Sequence, residues 1–278
     1  MFELKYRYGK NVFLTGGSSG IGLITAELFA KSGFRVFAAS RNPASDIRRF
    51  PGGGEIDPVK LDVRDPQSVN SAADYVLAQA DIGIVIHSAG IGIACPGEEF
   101  PSDPVFDLFE TNFTGVLRIN SRILPHLRQR GSGLCVIISS LASIFAVPYQ
   151  SHYCSSKAAL DQYAAALRME LREYGVRICL IMPGDTNTGF TGARKYYIDE
   201  RSPYYKKCLS AVKIMEKDEL GGCPPHSAAQ AILRVSRRKN PPLRTIVGLN
   251  YKLFAFLKRL LPDRVVETVL RKMYMEGK

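Results

Sequence analysis

Tyr153 and Lys157 stand four residues apart at the start of a helical pattern, which stacks them on one helix face. A phenol titrates near about pH 10 and is a poor base at neutral pH. A neighbouring ammonium favours the phenolate, so the pair makes a usable acid and base. The same spacing also occurs in ordinary surface packing. Ser140 lies a little earlier, where a strand ends, and can donate a hydrogen bond to a carbonyl oxygen.

A second group of residues is suited to phosphate. Asn11–Thr15 reads as a strand that runs into Gly16-Gly17-Ser18-Ser19-Gly20-Ile21-Gly22 and then into a helical pattern ending at Ser32. Such a turn aims backbone N–H groups and the positive end of a helix at an anion. Its glycine spacing differs by one residue from G-x-G-x-x-G, and a glycine turn can also stand without a ligand. The next strand ends Ala38-Ala39-Ser40-Arg41, with no acid. A carboxylate there would hold the ribose hydroxyls of NAD. A hydroxyl followed by a guanidinium suits a 2′-phosphate instead. NADP(H) is the expected cofactor, against the plain alternative of Arg41 as a surface arginine.

These groups need a frame, and the order of segments supplies one. Apolar strands are expected at Arg35–Ala39, Pro58–Val63, Ile82–Ser88, Leu134–Ser139, Arg177–Met182 and Thr245–Val247. Long helical patterns occupy Pro104–Gln129 and His152–Tyr174. Strands alternating with helices, and apolar throughout, predict an α/β fold with a doubly wound parallel sheet buried on both faces. Residues 1–248 read as one Rossmann-type domain, with 185–225 as a substrate lid and 249–278 as a helical extension. The lid follows a strand's carboxyl end, where ligands bind in such sheets.

The 278 residues are 46% hydrophobic and 23% charged, which excludes a disordered or fibrous chain. Six cysteines never form C-x-x-C, so neither a zinc ribbon nor a redox pair is expected, and no metal site is suggested. Several sit in apolar runs, where cysteine behaves as a small hydrophobe. No secretory signal or membrane span is legible, and a reducing, cytoplasmic setting is expected. Of the net charge of +11, residues 234–278 carry most, with 12 Lys/Arg against 3 Asp/Glu. That points to a solvated helix face or a peripheral membrane contact, and nucleic acid is not expected as a partner.

Taken together, the motifs resemble the short-chain dehydrogenase/reductase family from about Lys10 to Gly248. Thr15-Gly16-x-x-x-Gly20-x-Gly22 is similar to the family's cofactor turn, and Asp62-Val63 to the pair that contacts adenine. Asn112, Ser140, Tyr153 and Lys157 match the catalytic four in order, and Pro183-Gly184-x-x-x-Thr188 matches the segment that holds the nicotinamide carboxamide. The resemblance implies hydride transfer between nicotinamide and a carbonyl or secondary alcohol. Tyr153 would give or take the proton, and Lys157 would hold the nicotinamide ribose and depress the tyrosine pKa. Ser140 would orient the substrate oxygen, and Asn112 would anchor a water. Ser18, Ser19, Ile21, Ser88, Ala89, Gly90 and Thr186 would complete the cofactor contacts. Two departures stand out. The family's Asn-Asn-Ala-Gly reads His87-Ser88-Ala89-Gly90, with His87 expected to be a packed, hydrogen-bonded core residue, and Ser143 replaces a glycine. The family also implies a homodimer or homotetramer through the two long helical patterns.

Substrate is less constrained. Phe145, Val147, Pro148 and Tyr149, with Phe190, Tyr196, Tyr197, Tyr204 and Tyr205 of the lid, suit a bulky apolar ligand, or else pack the lid itself. Tyr153-Cys154-Ser155-Ser156-Lys157 resembles the steroid- and retinoid-active branch, and residues 185–190 resemble reductases of 3-ketosphinganine. A reductase of 3-oxoacyl groups or small ketones is the alternative, and a non-catalytic cofactor sensor or scaffold is the alternative of another class. In the tail, Tyr251–Leu261 and Asp263–Tyr274 read as amphipathic helices broken at Pro262. They are expected to cover the pocket mouth, and either to lie on an anionic membrane or to pack on protein. On this reading Arg41→Ala weakens NADPH binding, measured by titration, while barely altering NADH; equal losses would remove the basis for NADP(H).

Overall fold

The computed structural model describes residues 6–276. An eight-stranded sheet forms its centre: β1 (Asn11–Thr15), β2 (Arg35–Ser40), β3 (Arg48–Arg49), β4 (Glu55–Lys60), β5 (Ile82–His87), β7 (Gly133–Ile138), β8 (Val176–Pro183) and β10 (Arg244–Val247). The spatial order is β10-β8-β7-β5-β1-β2-β4-β3, and every pairing is parallel except the short edge pair β3–β4. Alternate strand residues enter opposite cores. Phe13, Phe37, Val85 and Ile137 pack against α2 (Pro66–Gln79), α4 (Gly115–Gln129) and α5 (Ser151–Glu170). Val12, Leu14, Ile86 and Val136 pack against α1 (Gly20–Lys31) and α8 (Pro225–Ser236). A strand's two-residue period thus produces the three layers, and the expected α/β doubly wound architecture is the one observed. Successive connections leave β1 toward β2 on one side and β5 on the other, which opens a crevice at the carboxyl ends of these strands.

Two of the expected elements are placed differently. The third strand is Glu55–Lys60, three residues earlier than its apolar run suggested. Asp57 enters the sheet because the Arg35 guanidinium on β2 donates to its carboxylate at 2.9 Å. Asp62 and Val63 are thereby left in the loop beyond the strand. The single pattern Pro104–Gln129 is three pieces: α3 (Ser102–Phe109), a π-helical turn (Glu110–Thr114) and α4. The helices α2 and α8 were not anticipated; each starts with proline in its first turn, and Asp65 caps α2 through the Gln67 amide at 2.9 Å.

The 185–225 segment holds α6 (Gly189–Ala193), β9 (Lys195–Tyr196) and α7 (Tyr205–Leu220), and β9 pairs in parallel with β6 (Ile93–Ala94) after β5. Five of the six cysteines are buried and none is paired. The tail forms α9 (Leu249–Leu260) and α10 (Asp263–Tyr274). Tyr251 lies flat over Gly184, where a Cβ would meet its ring atoms at 2.5 Å, and its hydroxyl donates to Asp185 at 2.8 Å. Among the described residues no helix is long and apolar enough to cross a membrane.

Removing the partner of a buried carboxylate is costly, because the remaining charge is left desolvated. Arg35→Met is expected to lower stability by about 2 kcal/mol in urea unfolding, discounted for the partly exposed guanidinium. Adding Asp57→Leu should recover part of that loss.

Candidate active site

The crevice at the strand ends opens into a cavity of about 930 Å³ that reaches from the glycine turn to the tail helices. Its first wall is the turn after β1. Gly16 has φ +74°, and a Cβ there would lie 2.6 Å from the Ala89 nitrogen; one on Gly22 would lie 2.0 Å from the Gly16 oxygen. Only glycine lets these three backbone segments meet. Ser19 starts α1 without a side-chain cap and no acid occupies the first turn, so the helix N–H groups have no side-chain partner. Gly16, Ser18, Ser19, Gly20 and Ile21 line the cavity, while Gly22 lies beneath the turn.

Ser40 and Arg41 line the next stretch, and the buried Ser40 hydroxyl has no hydrogen-bond partner. Asp62 and Val63 follow, joined by Arg64, a residue the sequence reading passed over. Arg64 donates to both Asp62 oxygens, at 3.1 and 2.8 Å, and holds that carboxyl below its usual range. A cradle of amide donors, an orphaned buried hydroxyl and two guanidinium groups fits a dinucleotide. Gly16, Ser18, Ser19 and Gly20 would face its pyrophosphate, and Ser88, Ala89 and Gly90 line the far side. Pro183, Gly184, Thr186 and Thr188 border the inner end, with Thr188 capping α6 through the Phe190 amide at 3.2 Å.

At that inner end the start of α5 places Tyr153 and Lys157, and Ser140 stands two residues beyond the end of β7. Lys157 Nζ lies 5.8 Å from the centre of the Tyr153 ring and donates to the Ile138 carbonyl at 3.1 Å. Burial pushes the Tyr153 phenol well above its ordinary range, and a hydrogen bond with Ser140 is the main opposing effect. Burial also pulls Lys157 down to about 8, against the charge of Asp161. The expected depression of Tyr153 by Lys157 is therefore not observed. The ammonium is itself desolvated and donates to a backbone carbonyl, and burial is the largest influence on the Tyr153 phenol. Tyr153 holds its proton at neutral pH. Asp161, which sequence reasoning missed, sits one turn beyond Lys157 and accepts from Ser139 at 2.7 Å and Arg244 at 3.1 Å. Its spacing of four from Lys157 was the available signal.

Asn112 occupies the π-helical turn and does not line the cavity. Its side chain accepts from the Ile91 amide at 2.8 Å and donates to the Ile91 carbonyl at 3.0 Å and to Ser156 at 3.2 Å. The residue thus latches the loop after β5 to α5, and Gly90 lies between it and Lys157. Of the apolar candidates, Phe145, Val147, Phe190 and Tyr197 reach the cavity, whereas Pro148, Tyr149, Tyr196, Tyr204 and Tyr205 do not. Ser143 donates to the Ser140 carbonyl at 2.8 Å and so fixes the turn that carries Ser140. His87 is fully buried and bonded to Asn120 at 2.9 Å, and desolvation lowers its pKa to about 4.

A parallel sheet with a glycine cradle, and Ser, Tyr and Lys gathered at its strand ends, defines a dinucleotide-dependent oxidoreductase. The family model described as short chain dehydrogenase matches residues 10–196, and the chain belongs to that family. It is 36% identical to a 3-ketodihydrosphingosine reductase of Bacteroides thetaiotaomicron, over 95% of this chain and 97% of that one. It is 31% identical to human 17-beta-hydroxysteroid dehydrogenase type 1 over 64% of this chain and 57% of the relative. The structure of a short-chain dehydrogenase from Streptomyces avermitilis superposes with a TM-score of 0.78 at 27% identity, covering 95% of this chain and 96% of that one.

Because folding lowers the pKa of His87, the unfolded chain takes up its proton first, and stability falls as pH drops from about 6.5 toward about 4. Urea unfolding at about pH 7 and about pH 4.5 should show a loss to which His87 contributes roughly 2 kcal/mol, so that His87→Asn reduces it and leaves the smaller part due to His152, which burial also lowers. The variant is expected to keep most of its turnover.

Proposed function

We propose that this protein is an NADPH-dependent reductase of a ketone carried on a long-chain lipid. The observation that carries the reading is the cavity itself: it continues from Tyr153 to Phe254, Leu257, Val266 and Val269 of the two tail helices. An apolar channel that leads outward from a reacting group suits an alkyl chain better than a compact ketone. The full-length likeness to a 3-ketodihydrosphingosine reductase supports the same class. The free Ser40 hydroxyl, followed by Arg41 and with Arg64 lining the same cavity, supports NADP(H) over NAD(H).

A bound NADPH supplies the hydride. Tyr153, neutral and buried, donates its proton to the substrate oxygen, and Ser140 orients that oxygen. Lys157 would hold the nicotinamide ribose, and Asn112 fixes the loop and helix that frame the pair. A phenol held in its protonated form suits reduction, where a proton must be given. Leu253, Phe256 and Leu260 remain exposed on α9 beside Lys252 and Arg259. That is the composition of an interfacial helix, and the same reading lays α9 on an acidic lipid surface from which substrate enters. The outer faces of α4 and α5 would pair two copies of the chain.

NADPH oxidation measured against 3-ketosphinganine, a steroid ketone, retinal and a small diketone tests the reading. The long-chain ketone is expected to give the highest kcat/KM, and Tyr153→Phe to lose about 10²–10⁴-fold in kcat with cofactor affinity retained. Preference for the diketone or the steroid would overturn it.

A further inference from the structure

One polar feature of the cavity remains without a role. Arg194, at the carboxyl end of α6, has a side chain only 1% exposed, and it forms an ion pair with Glu219 near the end of α7. Thr191 donates to the second Glu219 oxygen at 2.6 Å, so the carboxylate is held from two sides. Both Arg194 and Glu219 line the cavity, close enough that their charges act on the Tyr153 phenol. Two further nitrogens of the guanidinium, Nε and Nη1, are buried without a partner.

A pair of this kind is expensive. Desolvation of both ions is recovered only with good geometry and filled hydrogen bonds, and apolar replacements are often as stable. A wholly apolar ligand would remove the remaining water from Glu219, whose side chain is 16% exposed, and return nothing. A ligand with a cationic donor would instead complete the carboxylate's shell with a charge-assisted bond. The surrounding charges agree. Asp185 also lines the cavity, Asp218 stands near it, and its carboxyl is desolvated and bonded to Tyr251. The cationic side chains on this wall are Arg194, which gives one nitrogen to Glu219, and Lys195.

We propose that Glu219, clamped by Arg194 and Thr191, is the receptor for an amine next to the reacting carbonyl, so that the substrate is a long-chain 2-amino ketone. This rests on the reductase reading above and narrows it. Arg194 acts as a positioning residue: it fixes the carboxylate that faces the ligand. Specificity then comes from a buried group that is left unpaired when the amine is missing.

The test compares 3-ketosphinganine with its des-amino analogue of equal chain length, in wild type and Glu219→Gln, with NADPH saturating. Wild type is expected to prefer the amine-bearing ketone, and Glu219→Gln to reduce that preference about tenfold or more, mainly through KM. An unchanged preference in the variant overturns the inference while leaving the reductase reading intact. Calorimetric binding of sphinganine, the amino alcohol product, to the NADP-loaded protein gives a readout that needs no turnover. Binding weakened about tenfold in Glu219→Gln upholds the amine site even if neither ketone is reduced, an outcome that would remove only the reductase reading. Equal binding by both proteins overturns it. Circular dichroism and NADPH affinity establish that the variant is folded.

Discussion

Everything in this structure depends on how closely three pieces of backbone approach at the sheet's switch point. The turn after β1, the first turn of α1 and the loop after β5 meet with no room for a Cβ at Gly16 or Gly22. That approach exposes the amides of the turn to the crevice and sets the height at which a dinucleotide can lie. It also fixes the loop carrying Ser88, Ala89 and Gly90, and through Asn112 the start of α5. Tyr153 and Lys157 are therefore positioned from the glycine turn outward. A side chain at either glycine would displace backbone, not merely a flexible neighbour.

Burial governs the chemistry that this frame permits. Tyr153 and Lys157 are both desolvated, and desolvation drives their pKa values toward the neutral forms. A phenol and an ammonium so treated converge: the tyrosine keeps its proton while the lysine releases its own more readily. Asp161 limits the fall of Lys157, and its own position depends on Ser139 and on Arg244 from the last strand. The acid–base pair is thus supported by residues of α5 and β10 and by the residue that follows β7.

The substrate side is built from contrasting materials. Most of the wall near the tail is apolar and comes from helices that leave large side chains facing outward, with Leu249 81% exposed. Tyr251 fastens that extension to the core by covering Gly184 and bonding to Asp185, directly above the segment expected to hold the nicotinamide. Against this apolar wall stands one buried ion pair from the lid. Chain recognition and head-group recognition can therefore be separated in space, the first supplied by α9 and α10 and the second by α6 and α7.

The sheet was legible in the amino-acid sequence, because short apolar runs rich in β-branched residues, such as Ile82–His87, alternate with helical patterns, and so was the glycine turn, because few other residue patterns place a strand end against a helix start. Spacing put Tyr153 and Lys157 on one helix face, and the family resemblance added Ser140 and Asn112 to them. Other features depend on contacts between distant segments. The strand at Glu55–Lys60 was displaced from its apolar run because a buried aspartate is tolerated once Arg35, on another strand, neutralises it. The helical run at Pro104–Gln129 was broken by a π-helical turn that seats Asn112 against Ile91. Arg194 and Glu219 are 25 residues apart in sequence and gave no local signal, and their pairing exists only because α6 and α7 fold over the same cavity. The sign of the Tyr153 shift followed the same rule: residue type and spacing suggested a lowered pKa, and the depth of burial, which no local pattern encodes, reversed it.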